Sequence, residues 1–283
     1  MSSEVVACID GPQTADLVAE YGAWLSGRLS APLTLLHILD VQHGLHGGDF
    51  SGALGLGAQE ALIAEMAKLD EQRSKLAMEQ GRLMLDALAD KLVTKGLDKP
   101  QCRQRHGDVV QSFKELESDT RVWVLGKKGA SDLSSAVLGV HVEGIIRALN
   151  QPVLLVSEAF KAPQSVMIAF DGSATTRKIV DVVAKSPIFK GLPCHLVMVG
   201  EETESHRSEL AWAKAQLEAQ QHDCHSQIMA GEVDKVLCQY QQQHNIDLLV
   251  MGAYGHSRIR QFLLGSTTTT LLQSTPVPVL LMR

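Results

Sequence analysis

Four absences narrow the protein before any motif is read. No stretch of about 18 consecutive apolar residues occurs, so no membrane-spanning helix is expected. There is no positive surplus: 26 Lys and Arg stand against 32 Asp and Glu, giving a net charge of −6 and a pI near 6.0. That balance speaks against nucleic-acid and anionic-membrane partners, both of which require a basic footprint. The five cysteines (Cys8, Cys102, Cys194, Cys224 and Cys238) are odd in number and include no Cys-x2-Cys pair. Reduced structural thiols in the cytoplasm are the simple expectation. The opening Met1-Ser2-Ser3-Glu4 runs straight into a strand-like segment with neither a basic nor an apolar leader stretch, so no secretory signal is expected.

The composition is that of a folded chain, 45% hydrophobic and 20% charged, and 283 residues suffice for two ordinary domains or one large one. His222-Asp223-Cys224-His225 has the residue types of a metal site. Four adjacent side chains cannot converge on one ion without tight turns, so a solvated polar loop is expected there and no metal.

The sequence repeats itself. Val5-Val6-Ala7-Cys8-Ile9-Asp10-Gly11 matches Val166-Met167-Ile168-Ala169-Phe170-Asp171-Gly172, and His106-Gly107-Asp108-Val109 matches Ala230-Gly231-Glu232-Val233. Val122-Trp123-Val124-Leu125-Gly126 matches Leu248-Leu249-Val250-Met251-Gly252, and Pro152-Val153-Leu154-Leu155-Val156 matches Pro278-Val279-Leu280-Leu281-Met282. The blocks keep their order. Short apolar runs that do not alternate are strands buried on both faces, as in parallel sheets. They are expected near 4–10, 33–39, 101–105, 121–126 and 152–157, and again near 165–171, 194–199, 224–229, 247–252 and 278–282. Between them lie helical patterns such as Leu17, Val18, Tyr21, Leu25 and Leu83, Leu85, Leu88, Leu92. Strands alternating with helices predict an α/β fold of βαβ units. The halves join through the short linker 158–164, which leaves them little freedom to separate. Gly11 to Gly107 spans 96 positions and Gly172 to Gly231 spans 59, so the first half carries 37 extra residues. They include the glycine-rich stretches His43–Gly48 and Gly52–Gly57 and a long helix near 58–95. A lid over a site and a plain surface excursion both fit them.

One loop carries chemistry. Gly252, Gly255 and Gly265-Ser266 frame a segment that leaves a buried strand and enters a helix beginning near Thr268. Glycines let backbone approach a ligand, and a helix N-terminus offers free N–H groups to an anion. Ser266 and Thr267 add hydroxyls, and Arg258 and Arg260 add positive charge. No lysine precedes Ser266 and no Gly-x-Gly-x-x-Gly occurs here, so neither P-loop hydrolysis nor dinucleotide redox chemistry follows from this segment.

The frame Gly-x2-Gly-x9-Gly-Ser, an Asp closing the first strand and a final Pro-Val-Pro-Val-Leu-Leu strand resemble the universal stress protein family. The resemblance covers both halves, and the chain looks like a tandem universal stress protein. It implies two Rossmann-like domains, 1–158 (with an insertion at about 40–97) and 163–283. Each would be a five-stranded parallel sheet in the order 3-2-1-4-5 flanked by helices, with a crevice where the strand order reverses. It implies an adenine-nucleotide ligand, ATP or else ADP or AMP, with Mg²⁺ accompanying ATP. Carried over by position, Asp171, flanked by Phe170 and Gly172, would lie near the adenine, and Val199 would pack on the base. Gly231 would pass the base or ribose, Met251 and Gly252 would line the nucleotide, and Gly255, Gly265, Ser266 and Thr267 would surround the phosphates. The first half keeps Asp10, Gly126, Gly129 and Gly139 but has Val140 where the family has Ser or Thr. His141 follows, and binding there is expected to be lost or altered, with Lys127 and Lys128 as partial compensation in charge. The last strands would pair into an intramolecular pseudo-dimer, leaving a homodimer through another face open. No catalytic residue stands out. His256 is the single imidazole of the phosphate loop and reads as a solvated side chain. Three readings follow: a nucleotide-dependent regulator in the stress response with protein partners the sequence does not name, a slow ATPase, and a scaffold that binds proteins without nucleotide.

Overall fold

The computed structural model describes residues 3–39, 56–127, 140–253 and 266–283, with backbone alone at 56–62, 140, 266 and 267. The apolar runs form ten strands. The first five are β1 (Glu4–Cys8), β2 (Leu33–Leu39), β3 (Gln101–His106), β4 (Thr120–Gly126) and β5 (Val153–Val156). The second five are β6 (Val166–Ala169), β7 (Cys194–Val199), β8 (Cys224–Met229), β9 (Leu248–Gly252) and β10 (Val279–Met282). The helices between them are α1 (Pro12–Leu29), α2 (Leu56–Thr94), α3 (Val109–Leu116), α4 (Val140–Ala148), α5 (Ala174–Lys185), α6 (Glu204–Ala219), α7 (Val233–Gln243) and α8 (Ser266–Ser274). All ten strands join one sheet in the order β3-β2-β1-β4-β5-β10-β9-β6-β7-β8. Each half therefore has the order 3-2-1-4-5, with parallel pairing throughout.

The two halves meet edge to edge. Leu154 lies opposite Leu280 in an antiparallel pair of β5 with β10, so each half covers the open edge of the other. The seam is held elsewhere too. Arg28 of α1 donates to the carbonyl of Ile188 from Nε at 3.0 Å and from an Nη at 2.8 Å, and Tyr21 stands edge-on to Phe160 of the linker with ring centroids 4.8 Å apart.

Alternate strand residues feed two cores on opposite faces, Val5 and Ala7 on one and Val6 on the other. α1, α2, α5 and α6 cover the first face, and α3, α4, α7 and α8 the second. Trp123 is fully buried in the second core against Phe113, with ring centroids 4.6 Å apart.

Three expectations need correction. β1 stops at Cys8 and β6 at Ala169, two residues early, because Asp-Gly turns follow each strand and feed a helix. Leu85, Leu88 and Leu92 are buried, but Leu83 is 55% exposed and belongs to a different face of α2. The segment from His222 to His225 is not a solvated loop. His222 is buried, its Nδ1 lies 3.7 Å from the Cys194 thiol, and β8 begins at Cys224. Among the described residues no three His, Cys, Asp or Glu side chains form a metal site. Within the insertion, 40–55 lies outside the described residues and Gly57 falls in the first turn of α2.

Candidate functional site

In the second half, β6 and β9 are neighbours whose chains leave the sheet in opposite directions along it, β6 towards β7 and β9 towards β10. That reversal opens a crevice at the carboxyl ends of the strands. The register pairs Ile168 with Val250, so Phe170 and Gly252 emerge side by side. Val199 pairs with Met229 at the end of β7 and β8, and Gly231 follows in the turn before α7. The structure thus brings together Phe170, Asp171, Gly172, Val199, Gly231, Met251 and Gly252.

Chemically the crevice has an apolar floor and a polar rim. Ala169, Val199 and Met229 are partly buried and pack on the same core as the buried Met251. Phe170 points the other way, buried in the opposite core, so it shapes the turn from behind. Asp171 is exposed, and its Oδ1 accepts from the Ser173 amide at 2.9 Å and from the Thr176 hydroxyl at 2.7 Å. One carboxylate oxygen thereby fixes the turn into α5, where Ser173 is the N-cap and accepts from the Thr176 amide. Gly172 has φ +74°, a left-handed conformation that suits glycine. Gly231 has φ +140°, and a Cβ there would lie 2.8 Å from Val236 Cγ2. Its absent side chain keeps the backbone tight against α7. α8 begins at Ser266, with Thr267 in its first turn. Gly255 and Gly265, like His256, Arg258 and Arg260, lie outside the described residues.

The first half repeats the geometry with different side chains. Asp10, Gly126 and His141 line a cavity of about 50 Å³ together with Cys8, Ile38 and Val142. That volume accommodates a few waters at most. Cys8 stands where the second half has Ala169, and burial, followed by the nearby Asp10 charge, pushes its thiol well above the usual range. α4 begins at Val140, while Gly129, Gly139 and Lys128 lie outside the described residues. Gly107 has φ +139°, matching Gly231 to within a degree, so the turn after the third strand is shared by both halves.

Lys127 departs most from expectation. It does not add charge to the first-half crevice. Its side chain is buried at the seam, and Nζ donates to the carbonyl oxygens of Thr275 at 2.7 Å and Val277 at 3.0 Å, just beyond the C-terminus of α8. A cation is favoured at that end of a helix dipole. Burial pushes its ammonium down to about 8, against a smaller opposing pull from Glu158. The corresponding residue of the second half is the buried Ala253. The sequence offers a weak signal for this role: Lys127 follows directly on a buried strand, where its repeat partner is apolar. Ala169 and Met229, which share the crevice floor, were equally open to detection, because each lies two residues from another residue on the same sheet face.

Comparisons with known proteins identify the family and the fold. The model of the universal stress protein family matches residues 1–157 and again 163–283. A curated universal stress protein of Synechocystis is 32% identical over 284 residues, covering 99% of each chain. Another, from Mycolicibacterium smegmatis, is 21% identical and covers 99% of this chain and 96% of its own. Among solved structures, a universal stress protein from Archaeoglobus fulgidus superposes with a TM-score of 0.73 at 19% identity, covering 100% of this chain and 99% of the other. The chain belongs to the universal stress protein family, with two such domains in tandem.

Proposed function

We propose that the second half binds an adenine nucleotide and that its occupancy regulates what the protein associates with during stress. The supporting observation is the convergence of Asp171, Val199, Gly231, Met251 and Gly252 at one crevice, with α8 starting at the residue that follows the last glycine of the frame. In this reading the base lies on Val199 and Met251, and Gly231 leaves room for the base or ribose. Gly252, Gly255, Gly265, Ser266 and Thr267 hold the phosphates at the positive end of the α8 dipole. ATP, ADP and AMP share the adenosine contacts, and Mg²⁺ accompanies ATP. The first half, with Cys8 in the lining of its small cavity and Val140 in place of a hydroxyl, is the non-binding copy. No catalytic role is assigned. In this reading Asp171 serves the base end, and hydrolysis requires a positioned water and base at the phosphates.

One observation favours a second reading. The Asp171 carboxylate already serves the N-terminus of α5, which is what a fold-keeping Asp would do in a protein-binding scaffold without nucleotide. Substitution of Gly265 with valine separates the two. The nucleotide reading expects lost affinity for a fluorescent ATP analogue with an unchanged circular dichroism spectrum. Absence of affinity in the unsubstituted protein supports the scaffold.

A further inference from the structure

The insertion that distinguishes the first half ends in α2, a helix of 39 residues. Its C-terminal part is docked: Leu85, Leu88 and Leu92 are buried, and Gly81 sits so close to His37 and Gln104 that a Cβ would reach within 2.6 Å of both. Its preceding part is not docked. From 63 to 80 only Met66, Asp70 and Ala77 are even half-buried, so about 27 Å of helix stands proud of the body. A helical segment of that length is marginal in water on its own.

The exposed part carries a pattern. Leu69, Leu76 and Leu83 are 45%, 71% and 55% exposed and recur every seven residues, and Leu62 extends the repeat in the sequence. At 3.6 residues per turn, Leu83 lies about 140° around the helix from the docked Leu88, so the stripe is separate from the face that packs on the sheet. Met66, Arg73 and Gln80 occupy the other seam position of the same heptads. Charge narrows the choice of partner. Between 63 and 86 there are five acidic and four basic residues, and Glu71–Lys75, Glu79–Arg82 and Arg82–Asp86 pair along the helix. A nearly neutral, internally paired surface does not suit an anionic membrane or a nucleic acid, but it suits an identical surface laid antiparallel, which keeps the two Arg73 side chains apart in the seam.

We propose that this leucine stripe joins two copies of the chain, α2 of one lying along α2 of the other as a two-stranded coiled coil with Leu69, Leu76 and Leu83 at its seam. The pseudo-dimer inside each chain is then one half of a larger assembly, held at a face far from the β5–β10 seam. The inference does not depend on nucleotide binding.

Sedimentation velocity on the full chain tests it. The unsubstituted protein is expected at twice 30.7 kDa. Leu76→Glu should weaken association by about a hundredfold or more, because a charge enters the seam from both copies. Leu76→Met should remain dimeric, and Leu69→Ala should give a graded loss. Circular dichroism checks that each variant is folded. A monomer at all concentrations up to about 100 μM overturns the proposal, as does a dimer indifferent to both Leu76→Glu and Leu69→Ala.

Discussion

Replacing Lys127 with methionine removes a buried cation from the seam between the halves while keeping a side chain of similar length. At neutral pH the outcome is a difference of large opposing effects. The substitution takes the lysine donor from the buried carbonyl of Thr275, at a cost of about 1–3 kcal/mol, and from the part-buried carbonyl of Val277 at a smaller one. It also relieves the burial of a charge. The pH dependence isolates the second effect. The ammonium titrates near 8 in the folded chain and near 10.5 when unfolded. Below pH 8 both states hold the proton and stability does not change with pH through this group. Between pH 8 and 10.5 the unfolded chain binds more protons, so stability rises with pH. Each pKa unit is worth about 1.4 kcal/mol, so the full rise is about 3 kcal/mol. The neutral amine still has hydrogens for both carbonyls, so the contacts survive the titration. Urea unfolding of the unsubstituted protein and of Lys127→Met, followed by circular dichroism from pH 7 to 10.5, gives the rise as a difference in which the tyrosines and other lysines cancel. Parallel stability curves for the two proteins would refute the burial of a charged Lys127.

Three further outcomes follow. Gly231→Ala and Gly107→Ala place the same residue at φ +140° and +139°, but only at Gly231 does the new Cβ meet a neighbour, Val236 Cγ2 at 2.8 Å. Both should lower the melting temperature through backbone strain of about 1–3 kcal/mol, and Gly231→Ala by more; equal losses would contradict the packing at α7. Asp171→Ala should cost about 1 kcal/mol through loss of the turn that starts α5 and should weaken adenine-nucleotide binding as well, whereas loss of stability with unaltered affinity would assign Asp171 to the fold alone. Cys8→Ala combined with Val140→Ser should give the first half a working site, raising bound nucleotide from one to two per chain in equilibrium dialysis; a count that stays at one argues that more than these two side chains closes it.

Much of the fold was legible because parallel strands buried on both faces leave a mark that helices do not share. Runs such as Val122–Leu125 and Leu248–Met251 are apolar at every position, and their repetition in fixed order marked two copies of one α/β unit, while the strand order of each half came from the family resemblance. Pairing of 152–157 with 278–282 was expected from the family resemblance, and in the fold it covers two sheet edges that would otherwise be open. What escaped was set by long-range geometry. Lys127 looks like a loop cation in sequence, and only the docking of α8 across the seam shows where its ammonium goes. Leu83 fits the same helical stripe as Leu85, Leu88 and Leu92 only loosely, and the two faces of α2 separate once β2 and β3 are in place against Gly81. At the candidate site, Asp171, Val199, Gly231 and Gly252 lie at strand ends or in the turns that follow them, where the local signals of strand end and glycine turn are strong. Cys8 was overlooked at the first crevice because only the folded sheet shows it lining the cavity there with Asp10, Gly126 and His141.

Stoichiometry of bound nucleotide tests the central claim most directly. Purified protein is denatured, and the released small molecules are separated on a column and quantified by absorbance at the adenine wavelength. One adenine nucleotide per chain, absent from Gly265→Val protein, is the predicted result. None from the unsubstituted protein, even after incubation with ATP, would contradict the nucleotide assignment while leaving the tandem sheet untouched.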